Sequence, residues 1–341
     1  MKKLIKFPSI EQFRNVVYRV NRDSTFIGLD KEDRPIYDEA VRRPILRFTG
    51  SVKLHGTNAG VCYNNIDGLY FQSRSRVITQ ESDNAGFAFF ANSREEVFKS
   101  MMNFISLKEN VDLDRYTISI FGEWAGKGIQ KDVAISELDR AFFIFGVRIT
   151  SIEDNAFYRW LPIEKYNLSH IKSGIFNINS FQTFSINIDF NNPELIQNKL
   201  IEITKEVEAK CPIADAFGIQ GIGEGVVWST PYGSDILRFK VKGELHSSSR
   251  VKTLANIDVD KINSIEEFVE YSVTENRFNQ AVGEIYGEGE LDIKKLGNLI
   301  KWIRNDIIKE ETDTMSKNNL FPKDIGGRIG VKVKEMFKSK L

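Results

Sequence analysis

Short alternating runs dominate the chain up to residue 243, and helical periodicity takes over beyond it. Ile45–Val52 alternates toward Lys53. Gly60–Tyr63 and Leu69–Ser73 flank Asn64-Asn-Ile-Asp-Gly68, the composition of a hairpin turn. Tyr116–Phe121 and Ala141–Arg148 read as further strands, and Val226–Ser229 and Ile236–Val241 as a second hairpin around Pro231-Tyr-Gly-Ser234. Two helices interrupt this texture, one from the capping pattern Ser93-Arg-Glu-Glu96 to about Leu107, the other from Asn192-Pro193 to about Lys210. Residues 1–44 form a mixed lead-in with a helix around Ser9–Val20 and a turn at Asp33–Pro35. Past Gly243, Ile265–Val282, Ile293–Glu311 and Ile329–Lys338 have helical spacing. The expected class is α+β: an antiparallel-sheet domain over residues 1–246, then a small all-helical domain over residues 247–341, divided near Ser247-Ser-Ser249.

Length and composition narrow the class. The 341 residues, 41% hydrophobic and 28% charged, suit two folded domains and exclude wholesale disorder. No apolar run approaches the ~20 residues of a membrane helix, and the basic start turns polar before a signal sequence can form. Cys62 and Cys211 are too few for a disulfide scaffold, so a reducing cytoplasm is expected. Nothing in the sequence demands an oligomer. The 47 basic and 47 acidic residues cancel, yet residues 1–24 and 323–341 each hold six Lys/Arg against two acids. Lys2, Lys3 and Lys6, with Lys332, Lys334, Lys338 and Lys340, therefore read as solvated termini or as parts of a basic track.

The commonest nucleotide and metal devices are absent. Gly126-Lys127 lacks the leading glycine and the hydroxyl of a phosphate loop. Gly221-Ile-Gly-Glu-Gly225 precedes a strand and meets no helix N-terminus. Three histidines form no readable metal cluster.

A different constellation survives. Lys-x-x-Gly occurs four times, but only at Lys53 does it leave a strand and run into polar Thr57 and Asn58. Downstream come Arg74 after a hairpin strand, Glu123 after Ile118–Gly122, Glu224 before a strand, and Lys240-Val-Lys242 within one. Residues two apart on a strand share a face, so Lys240 and Lys242 project together, either into water or onto an anion. A lysine, an anion clamp and two carboxylates supply what phosphoryl chemistry requires.

In this order the segments resemble the covalent nucleotidyltransferases, most closely the T4 RNA ligase 2-like family. Lys53-Leu-His-Gly-Thr-Asn58 is similar to the nucleotidyl-acceptor motif and Phe121-Gly-Glu-Trp-Ala-Gly126 to the third motif. Phe142-Phe-Ile-Phe145 resembles the adenine-stacking strand, Glu224-Gly-Val-Val227 the fourth motif and Phe239-Lys-Val-Lys242 the fifth. Thr274-Glu-Asn-Arg277 and Asn305-Asp306 through Glu310 resemble the helical domain of that family. The lead-in is longer than in compact members, Val52 stands where some carry an acid, and alignment through Gln72-Ser73 selects Arg74 over Arg76.

The resemblance implies a nucleotidyltransferase, ATP-grasp-like ligase domain using ATP with Mg²⁺ or Mn²⁺. It implies joining of RNA 3′-hydroxyl and 5′-phosphate ends, at nicks in a duplex, through lysyl-AMP and RNA-adenylate. Lys53 is then the nucleophile, assisted by His55. Asn58 and Arg74 contact phosphate or the nick ends, Leu54 and Phe145 line the adenine site, and Lys240 and Lys242 clamp phosphate. Glu123 and Glu224 hold ribose or metal. A free lysine is charged at neutral pH, with a pKa of about 10.4, so Lys240, Lys242 and the metal are expected to favour the neutral amine. Rival readings are a DNA ligase, a GTP-using capping enzyme, or an inactive RNA-binding homologue. The first two typically carry Lys-x-Asp-Gly and a barrel, where this chain has His55 and a helical tail.

Overall fold

Alternating burial along Ile45–Lys53 sets the architecture. Phe48, Gly50 and Val52 point into a core, while Arg47, Thr49, Ser51 and Lys53 form the opposite row. The structure, a computed structural model, describes residues 2–243, 245–246, 265–287, 289–317 and 319–340. It divides into the units Met1–Val241 and Lys242–Leu341. The expected boundary at Ser247–Ser249 lies outside the described residues.

The first unit begins with α1 (Phe13–Thr25) and the hairpin β1 (Phe26–Leu29) and β2 (Pro35–Tyr37). The strands β3 (Ile45–Lys53), β4 (Thr57–Asn64), β5 (Gly68–Ser73) and β6 (Val77–Ile78) follow, then α2 (Phe87–Asn92) and α3 (Glu95–Glu109). Next come β7 (Tyr116–Ala125), β8 (Ala141–Ser151), β9 (Tyr158–Leu161), β10 (Ile175–Asn177) and β11 (Thr183–Asp189). The unit closes with α4 (Gln197–Ala209), α5 (Pro212–Ala216), β12 (Gly225–Tyr232) and β13 (Asp235–Lys242).

One sheet runs β10-β8-β7-β4-β5-β6 with β9 beside β8, and a second runs β11-β3-β12-β13. Their named neighbours pair antiparallel, save that β10 lies parallel to β8. Residues of both sheets share one hydrophobic core. Gly50 exists for this packing: a Cβ there would meet the Trp228 ring at 2.7 Å, and that indole is fully buried.

The lead-in forms a strap from Lys3 to Glu11. Ile5 exchanges two hydrogen bonds with the Gln72 side chain on β5, at 3.1 and 2.7 Å. At its other end Glu11 N–H donates to Arg238 O, and Lys240 N–H donates to Glu11 O, on the edge of β13. The strap thus joins the two sheets.

The second unit contains α6 (Ile265–Ser272), α7 (Glu275–Tyr286), α8 (Leu296–Glu310), α9 (Thr312–Lys317) and α10 (Pro322–Lys338). The expected helix Ile265–Val282 is broken at Val273–Thr274, because the Thr274 hydroxyl caps α7 by accepting from Arg277 N–H. Arg277 is fully buried: its Nε donates to Asp306 Oδ2 at 2.9 Å, its Nη1 to Ser272 O, and Glu311 lies 3.7 Å from Nη2. The Thr274–Arg277 and Asn305–Glu310 motifs therefore meet as a buried ion network that locks α7 to α8.

Candidate active site

Strand register brings the first two site residues together. Gly225 pairs with Lys53 across β12 and β3, so Glu224, one residue earlier, stands beside the exit of β3. Lys53 Nζ lies 2.7 Å from Glu224 Oε2, and His55 Nδ1 lies 3.3 Å from the same oxygen. Glu224 is 2% exposed and Lys53 19%. The Lys53 amine is thus held by the Glu224 carboxylate, one of the two expected site acids.

Gly56 carries the next link. Its N–H donates to Glu123 Oε1 at 3.0 Å, and its carbonyl accepts from Gln130 Nε2 at 3.4 Å. A Cβ at Gly56 would sit 2.4 Å from Trp124 O, so only glycine allows the loop to approach β7 this closely. Burial pushes the Glu123 carboxyl up to about 7; the Lys53 charge opposes that rise and the Glu224 charge adds to it. Asn58 pairs with Glu123 across β4 and β7. Its Oδ1 is buried and has no hydrogen-bond partner among the described residues.

Lys53, Leu54, Glu123 and Phe145 line one cavity of about 130 Å³ between the two sheets. Phe145 owes its position to a register shift: Phe121 pairs with Gly146 and Gly122 with Ile144, leaving Phe145 without an opposite residue. Such a bulge re-aims a side chain. Phe7 of the strap packs edge-on against Phe145, with ring centroids 4.9 Å apart. Ile10, Val227 and Arg238 complete this part of the wall.

The other expected residues stand apart from the cavity wall. Lys240 and Lys242 share a face of β13 with Arg238, while Phe239 and Val241 are buried on the opposite face. Arg74 is exposed and donates to Ser9 Oγ at 3.0 Å. Arg76 instead holds the carbonyls of Ser82 and Asp83, a loop-bracing role. In the basic tail, Lys332 pairs with Glu270 and Lys340 with Glu275, so these two stabilise the helical surface. Sequence reasoning missed Phe7, Ile10 and Arg238. Arg238 had a signal, because it extends the Lys240–Lys242 row by one period; Phe7 had none, since its role comes from the course of the strap.

Chemically, the site presents a primary amine beside two carboxylates at an apolar slot with an aromatic wall. It can offer the amine to an electrophile seated in that slot and oxygen ligands to a hard cation.

Residues 46–242 match the family model described as RNA ligase. The chain belongs to the RNA ligase family. No curated protein matches it. Similar solved structures include Naegleria gruberi RNA ligase with PPi, 15% identical with a TM-score of 0.42, covering 71% of this chain and 58% of that one. A mutant of that ligase with ATP and Mn is 16% identical at a TM-score of 0.43, covering 72% and 57%. Another, with AMP and Mn, is 15% identical at 0.42, covering 74% and 59%. The chain spans less than three fifths of the length of these ligases.

Proposed function

We propose that the chain is an ATP-dependent RNA ligase of the T4 RNA ligase 2-like kind, joining 3′-hydroxyl and 5′-phosphate ends at nicks in duplex RNA. The observation that carries this is the amine of Lys53, in the matched region, at the edge of an aromatic-walled cavity and flanked by Glu123 and Glu224.

Leu54, Val227 and Phe145 take the adenine face. Lys53 leaves Glu224, loses a proton and attacks the α-phosphorus; the bond to diphosphate breaks and a lysyl-AMP phosphoramidate forms. The RNA 5′-phosphate then attacks that phosphorus and returns Lys53 as the free amine. The 3′-hydroxyl next displaces AMP from the RNA-adenylate. Lys240 and Lys242 steady the phosphates, His55 orients Glu224, and Asn58, with its unsatisfied Oδ1, and Arg74 meet the nick ends.

Glu123 and Glu224 fit a divalent cation of the Mg²⁺ or Mn²⁺ type, because both would offer it hard carboxylate oxygens beside the Lys53 amine. When bound, it supplies charge neutralisation at the reacting phosphates. The Naegleria ligase described with ATP and Mn is consistent with this choice. Two unpaired, buried cysteines fit a reducing compartment such as the cytoplasm.

The test is covalent labelling. With Mg²⁺ and α-labelled ATP the protein should form an acid-labile adduct that Lys53→Ala abolishes; label retained in that variant would remove the proposal. Label from GTP alone would assign capping chemistry instead. Sealing all-DNA nicks as well as RNA nicks would overturn the substrate class.

A further inference from the structure

Neighbouring residues of the strap serve two cavities. Phe7 and Ile10 line the one described above, whereas Lys6, Ser9 and Glu11 line a second, of about 110 Å³, which shares Arg238 with the first. Three arginines line this second cavity, Arg19, Arg148 and Arg238, and the last two lie over its aromatic rings. Arg238 is 9% exposed; its guanidinium lies 4.3 Å from the Trp160 ring centroid and 5.1 Å from that of Phe7. It makes no ion pair among the described residues. Arg148 lies 3.9 Å from the Tyr158 centroid and 5.7 Å from that of Trp160. Its Nη1 and Nη2 donate to Lys6 O and Asn155 O, each at 3.2 Å, but its buried Nε has no acceptor.

Charge in the cavity is unbalanced. Arg19, Arg148, Arg238 and Lys6 face two acids, Asp235 and Glu11, and Asp235 is bound to Arg19 at 3.1 Å. Stacking on an aromatic ring returns about 0.5–2 kcal/mol, less than the several kcal/mol lost when a cation is desolvated. Burial lowers the affinity of the Arg148 and Arg238 guanidiniums for their protons, that of Arg238 to about 10. A further arginine attaches to the same wall, since Arg74 donates to Ser9.

We propose that this second cavity is a phosphate-binding site for the polynucleotide, with Arg148 and Arg238 donating to the non-bridging oxygens of one backbone phosphate. Guanidinium forks match that geometry, and the aromatic rings hold them pre-oriented. The site would fix the strand next to the Lys53 cavity through Arg238, which borders both. This inference rests on the reading of the chain as an RNA-joining enzyme.

The experiment is a binding titration of nicked RNA duplex against wild type, Arg148→Gln, Arg148→Lys and Lys6→Gln at several salt concentrations, run beside Lys53 labelling with ATP. Arg148→Gln should bind RNA at least fivefold more weakly, with the log–log salt slope shallower by about one. Arg148→Lys should recover part of that loss, and labelling should stay within twofold of wild type. Labelling with unchanged RNA affinity and slope in Arg148→Gln overturns this site alone. Loss of labelling and RNA binding in wild type would overturn the reading beneath it. A parallel titration with inorganic diphosphate separates the sources: diphosphate binding lost while RNA binding persists would assign a free-polyphosphate site and overturn the proposal. Should Arg148→Gln unfold, exposed Lys6→Gln decides, with a twofold or greater loss of RNA affinity expected and none overturning it.

Discussion

The amine of Lys53 and the carboxylate of Glu224 lie 2.7 Å apart, with Glu224 2% exposed. Removing one member of such a pair strands the other charge in a low-dielectric setting. Lys53→Met should therefore destabilise the first unit by about 3 kcal/mol, and Lys53→Met with Glu224→Gln should recover at least half of that. Urea unfolding of the four proteins forms a double-mutant cycle. Strict additivity would show that the pair contributes nothing.

Lys240 and Lys242 lie on the face of β13 that carries Arg238 into the cavity wall. Lys240→Ala and Lys242→Ala should each slow Lys53 labelling at least tenfold, about 1.4 kcal/mol in the barrier. Rapid-quench labelling at saturating ATP measures this, and near-normal rates for both would leave them as surface lysines.

Glu123 should give a pH signature. Its carboxyl is raised from 4.5 to about 7, chiefly by burial. Between those values the folded state keeps a proton that the unfolded chain has lost. Stability from this group is therefore fully present at low pH and declines as pH rises to about 7, by about 1–3 kcal/mol. Glu123→Gln cannot titrate, so it should gain stability relative to wild type across that interval and hold a constant difference above it. Parallel profiles would refute the shifted carboxyl.

Phe7 joins the strap to the bulged Phe145. Phe7→Ala should lower stability by about 3 kcal/mol. Phe7→Leu, which retains most of the packing, should raise the KM for ATP in labelling at least threefold, with the saturated rate within twofold. An unchanged KM would mean that the strap braces the fold without shaping the nucleotide site.

Arg277 lies between Asp306 and Glu311 in the helical unit. Arg277→Met should cost about 3–5 kcal/mol there by leaving two carboxylates without their cation. RNA sealing should fall while Lys53 labelling persists. Labelling lost together with sealing would show that the helical unit supports the adenylylation step.

Much of this was legible locally. The hairpins around Asn64–Gly68 and Pro231–Ser234, the α3 and α4 helices and the run of C-terminal helices follow from turn chemistry and apolar spacing within a few residues. The expected Ser93 cap does not form: its hydroxyl donates to Phe90 O instead, and α4 starts only at Gln197, after a short turn at Pro193–Ile196. The parallel pairing of β10 with β8, the strand β11 and the strap carry no such signal, because their stability comes from partners far away in the chain.

The sequence by itself determined the order of the chemistry-bearing residues, the α+β class and the shared face of Lys240 and Lys242, since motif spacing and period-two alternation are properties of neighbouring residues. Only the tertiary structure decided that Glu224 would hold Lys53, that Arg148 and Arg238 would share a cavity, and that Phe7 would wall the site. Those choices depend on strand register and on where a buried charge finds its counterpart, and both are settled only when distant segments pack together.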